Sequence, residues 1–121
     1  MLIYQLGKHA ISQSAVEKFV PAGKETTVSY TFPTEKNDFT RGEIQFFGVH
    51  AFRWTRDYSC TLEMRGAYDK LLEIESSPWA KELADERAQF GYPVTLHHYM
   101  VFFDSGGCYE VVAESVTVKE E

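Results

Sequence analysis

At 121 residues the chain fits a single domain, residues 1–121, and is long enough to bury its own core without disulfide or metal staples. Hydrophobic content of 44% excludes a disordered chain, and nine Phe, seven Tyr and two Trp favour the pleated, half-buried surfaces of β-sheet. A net charge of −6 works against phosphate backbones and anionic lipid, so no nucleic acid and no membrane is expected as a partner, whereas a basic protein is.

In chain order, Leu2, Tyr4 and Leu6 alternate as in a short strand. The stretch Ser12–Val20 is ambiguous, because Ser14-x-x-Glu17 reads as a capping box while Ala15, Glu17 and Phe19 alternate. Pro21-Ala22-Gly23 ends that element. Val28, Tyr30 and Phe32 share one face of a clear strand, and Pro33–Arg41 reads as a polar loop. Gly42–Arg56 is expected as one long strand with Ile44, Phe46, His50, Phe52 and Trp54 in phase and a bulge or close approach at Gly48. Tyr58, Cys60, Leu62 and Met64 continue the alternation, so a further strand and a hairpin near Asp57 are expected.

Ala67–Glu75 fits either type and leans toward strand. The next element is better marked: Ser77 is a good N-cap, Pro78 suits the first helical position, and Trp79, Leu83 and Phe90 recur at helical spacing until Gly91 and Pro93. The C-terminal third reads as a hairpin, Val94–Asp104 and Cys108–Val118 about a Ser105-Gly106-Gly107 turn. The expected architecture is therefore α+β: a mainly antiparallel sheet of about five to seven strands, with one amphipathic helix at about 78–90 packed on it.

No dinucleotide fingerprint, phosphate loop, nucleophile elbow, zinc-protease or calcium-loop motif is present. Cys60 and Cys108 form no Cys-x-x-Cys pair, no secretory signal opens the sequence and no apolar run is long enough to span a bilayer, so a reducing cytoplasm is expected. His97 and His98, as neighbours on a strand, point to opposite faces, and Glu110 or Glu114 on the opposing strand is the natural partner for either.

Two constellations carry possible chemistry. His50, Cys60 and His98 each fall in phase with the apolar residues of their strands, and a thiol with imidazoles suits a soft metal ion or a Cys–His pair. Trp54 lies within Phe52-Arg53-Trp54-Thr55-Arg56, whose interleaved aromatic and basic side chains can stack on bases and neutralise phosphates, although the acidic total counts against nucleic acid. The candidate ligand-binding residues are thus His50, Cys60, His98 and Trp54; no catalytic residue, metal site or cofactor is assigned. With no active-site signature, the function expected is that of a small acidic, non-catalytic binding or regulatory protein, inhibitor-like toward a basic partner. The alternative is a small-ligand or metal-binding domain, or an enzyme, with a pocket between sheet and helix. A homo-oligomer joined through an exposed sheet face or edge is the third class.

Overall fold

The computed structural model describes residues 1–7, 14–22, 25–34, 36 and 38–121. Lys8, His9, Ser12, Gln13 and Gly23, which bear on the expected breaks and on the ambiguous second element, lie outside the described residues. The described chain is broadly α+β: nine strands in two antiparallel sheets, with two short helices. The strands are β1 (Leu2–Gln5), β2 (Ala15–Ala22), β3 (Glu25–Pro33), β4 (Phe39–Phe47), β5 (Ala51–Thr55), β6 (Lys70–Ile74), β7 (His97–Phe103), β8 (Gly107–Ala113) and β9 (Ser115–Glu120). Helix α1 covers Leu62–Arg65 and α2 covers Pro78–Gln89. One sheet has the order β1-β6-β7-β8-β5, the other β2-β3-β4-β9.

The sheets stack face to face. Val28, Tyr30 and Phe32 from β3 and Ile44 and Phe46 from β4 meet Leu71, Tyr99, Val101, Phe103, Val111 and Ala113 of the five-stranded sheet. A smaller cluster on that sheet's other face joins Met100, Phe102 and Cys108 to Ala67, Met64 and Cys60. Both faces of β7 and β8 are therefore covered, which is why His98–Phe103 is buried without a break.

Three expected elements differ from the structure, each for a local reason. The long strand Gly42–Arg56 is two strands in different sheets, because Gly48 takes φ +63° and turns the chain. The expected Cys108–Val118 strand divides at Glu114 in the same way. The two crossings lie side by side: Glu114 N donates to Phe47 O at 2.9 Å and Gly48 O at 3.2 Å, and a Cβ on Gly48 would overlap the Glu114 carboxylate. Pairing resumes beyond the junction with a shift of register, Phe47↔Ser115 on one side and Ala51↔Val112 on the other. The third difference is Tyr58–Met64, which is a single 3-10 turn (Asp57–Ser59) followed by α1, not a strand. Thr61 caps α1 by accepting from Met64 N, and Tyr58 and Leu62 point to solvent, so the alternation there is not a buried face. No hairpin forms there, and β5 pairs antiparallel with the distant β8 instead.

One carboxylate closes the rim of the sandwich where β1 meets β9. Glu120 accepts from Tyr4 OH at 2.7 Å, Tyr30 OH at 2.6 Å and Gly7 N at 2.6 Å. The Tyr30 ring reaches it by lying across Gly42, where any Cβ would collide with the ring. Burial and then the Glu120 hydrogen bond push the Tyr4 hydroxyl up to about 12 and the Tyr30 hydroxyl higher still. Glu120→Ala strands two hydroxyls and a backbone N–H, and should cost about 3 kcal/mol in urea unfolding, whereas truncating the solvent-facing Lys119 should change stability by less than about 0.5 kcal/mol.

Candidate functional site

The polar centre lies on the outer face of the five-stranded sheet, under α2. Arg53 of β5 stands directly opposite Glu110 of β8, and His98 of β7 sits diagonally across from that carboxylate on the same face. Glu110 and His98 are 1% and 6% exposed, so each needs partners inside the protein. Arg53 Nε donates to Glu110 Oε2 at 2.6 Å and its Nη2 donates to Oε1 at 3.0 Å, a two-pronged ion pair.

The chain of contacts continues into α2. His98 Nε2 lies 2.8 Å from Glu110 Oε1, and His98 Nδ1 lies 2.9 Å from Ser77 Oγ. Ser77 is the N-cap of α2, and its Oγ accepts from Ala80 N at 3.1 Å. The ionised carboxylate can only accept, so Nε2–H donates to it, and in the neutral tautomer that this fixes the Ser77 hydroxyl donates to Nδ1. Trp79 fills the space above: its ring meets the His98 ring edge-on at 5.2 Å, and the Arg53 guanidinium lies 4.5 Å from its centroid. Burial pushes the Glu110 carboxyl up, but hydrogen bonds from His98 and Arg53 and the Arg53 charge outweigh it and hold the group down at about 2.

Ser77, His98 and Glu110 are the residue types of an acyl-transfer triad, yet the surroundings suit a tie more than a nucleophile. Ser77 is 7% exposed and its hydroxyl already caps a helix, and the following residue, Pro78, has no N–H to stabilise an oxyanion. A shallow, open depression of ≈ 370 Å³ passes alongside, lined in part by Ser77, Lys81, His97 and His98. His97 takes the opposite face, as the strand alternation requires, and its Nδ1 lies 2.8 Å from Glu73 Oε2.

The four candidate residues from the sequence are placed in four settings. His98 belongs to the network. His50 is exposed in the link between β4 and β5, beside the C-terminal half of α2. Cys60 is half-buried between the 3-10 turn and α1, its thiol directed at Thr55 O (3.5 Å) and Arg56 O (3.4 Å), and burial pushes the thiol up. Trp54 lies on the opposite face of β5 from Arg53 and donates Nε1–H to Gly106 O at 2.8 Å. Among the described residues, no three His, Cys, Asp or Glu side chains converge on a metal-binding position. Sequence reasoning placed Glu110 as a partner for a strand histidine but did not connect Arg53, Ser77 and Trp79 to it. The available signal was the N-cap serine at the mouth of a helix that had to lie on the strand carrying His98.

Compared with known proteins, the chain matches no family model, no curated protein and no solved structure.

Glu110→Gln removes the charge that balances Arg53 and should lower stability at pH 7 by about 3 kcal/mol. The folded carboxyl titrates at about 2, below its ordinary value of 4.5. Its stabilising contribution is therefore fully present above roughly pH 5 and is lost as the pH falls toward 2. Urea melts across that range should show a steep acid limb in the wild type and a flatter one in Glu110→Gln.

Proposed function

We propose that this chain is a small, acidic, non-catalytic protein-binding domain that offers α2 and its C-terminal flank to a basic partner, in the manner of an inhibitor. The observation that carries this reading is the outward side of α2. Glu82, Asp85 and Glu86 are exposed along it, and Phe90 and Tyr92 stand exposed just beyond its end. Lys81 is the counter-charge on that stretch, paired with Asp85 at 2.6 Å, and Arg87 lies 5.0 Å from the Tyr92 ring centroid. Acidic side chains steer a basic protein and raise its association rate, while exposed aromatics beside an arginine are the composition of binding hot spots.

Two further features support it. The triad-like residues are committed to holding α2, and the depressions flanking the helix are open and shallow. Those at its C-terminal end, ≈ 340 Å³ and ≈ 290 Å³, share His50 and Arg87, so a partner side chain has somewhere to seat beside the aromatics. Two free cysteines fit a reducing cytoplasm, and among the described residues no helix is long and apolar enough to cross a membrane. A second reading, a small-ligand site, has one observation in its favour: Glu73, Lys81 and His97 join Ser77 and His98 in lining one open depression at the end of α2.

The test is retention of basic proteins by the immobilised chain, compared with a triple variant carrying Glu82→Lys, Asp85→Lys and Glu86→Lys. The reading expects a partner held at low salt, released as salt rises, and lost in the triple variant, with Tyr92→Ala weakening it by about 2 kcal/mol. Equal retention by the wild type and the triple variant would sink it. A thermal shift with small molecules that vanishes in His97→Ala would favour the second reading.

A further inference from the structure

Four strands edge the two sheets: β1 and β5 in one, β2 and β9 in the other. An exposed edge is a template for pairing, and proteins blunt it with bulges, prolines, lysines or very short strands. Three of these edges are blunted. β1 is four residues long with a register shift between Leu2 and Tyr4. β2 has a shift between Val16 and Lys18, and it carries Lys18 and Pro21. β9 carries Lys119, and its rim is where Tyr4 reaches across to Glu120.

β5 has none of these devices. Its five residues pair with β8 in unbroken register, with neither proline nor lysine, and Phe52 and Trp54 on one face are 45% and 52% exposed. Its one charge, Arg53, points to the other face and is neutralised within the chain by Glu110. An approaching strand therefore meets a regular ladder, an apolar face and no bare charge.

We propose that β5 is a self-association edge: two copies of this chain pair antiparallel through β5 about a two-fold axis, joining their five-stranded sheets into one. The occupant follows from symmetry. A two-fold axis perpendicular to the sheet keeps like faces together, so the exposed aromatics of both copies fall on the same side and continue each other as a stripe. On the opposite side the two Arg53–Glu110 pairs come near each other already neutral. A foreign strand would have to supply an apolar face of its own; a second copy has it. The contact is small, so the dimer is weak and concentration-dependent. This inference is independent of the basic partner proposed for α2.

Sedimentation velocity on the intact chain, from about 1 to about 500 μM, tests it, since weak interfaces of this size assemble only toward the upper end. Wild type is expected to shift from monomer to dimer. Phe52→Lys should remain monomeric at every concentration while keeping the wild-type circular dichroism spectrum, although losing the Phe19 ring contact at 5.2 Å lowers its melting temperature, and Phe39→Lys, which alters a more exposed aromatic on β4 (71% exposed), should dimerise as wild type does. Hydrogen exchange gives a readout free of substitutions: amides of Ala51–Thr55 should exchange several-fold more slowly at high concentration than at low. A wild type that stays monomeric throughout overturns the proposal. So does a dimer lost equally with Phe39→Lys, or one that leaves the β5 amides unprotected.

Discussion

The carboxylate of Glu110 is the group around which the outer half of this structure is arranged. It lies in the middle of a sheet covered on both faces, where an ionised side chain is tolerated only if its charge is balanced and its lone pairs are filled. Arg53 supplies the charge from the edge strand, His98 supplies a hydrogen bond from the neighbouring strand, and Ser77 fixes the imidazole from the helix. One buried group thus ties together β5, β7, β8 and α2. An apolar residue there would contribute as much to stability, but it would not specify where the helix sits or which way its face points.

That matters because α2 is poorly held by apolar packing. Ala80 is its one fully buried side chain, with Trp79, Leu83 and Ala84 half-buried. The inner core of the sandwich, by contrast, is apolar and continuous, with Tyr30 and Tyr99 as its polar-tipped members. The molecule therefore has a rigid two-sheet body and a helix docked on it by a polar latch. A docked helix of this kind presents a fixed row of charges and aromatics to solvent at little further entropic cost, which is what a binding surface requires. The unguarded edge at β5 sits at the root of the same latch, because Arg53 belongs to both.

Elements whose signals are local were legible in the sequence. The alternation of Val28, Tyr30 and Phe32, the Ser77-Pro78 helix start and the strand leaning of Ala67–Glu75, within which Lys70–Ile74 is β6, all rest on neighbours in the chain. The change of sheet at Gly48 and Glu114 was not, since hydrophobic alternation continues through both points and the turn is set by a contact between residues far apart. Tyr58–Met64 misled for the converse reason: period-two alternation arose without a buried face, and Thr61 decided the local structure by capping a helix. His50, Cys60 and His98 are in phase within their own segments, but phase does not fix the sheet to which a segment belongs. Once β5 left β4's sheet, His50 became a linker residue and Cys60 a loop residue.

The most direct test of this account is amide hydrogen exchange of α2 in Glu110→Gln, under conditions where the sandwich stays folded. If the Glu110 latch holds the helix, protection of the α2 amides falls well below its wild-type level while the amides of β3 and β4 lose much less. If α2 loses protection only in step with β3 and β4, the helix is held by packing alone, and the latch does not have the role assigned to it here.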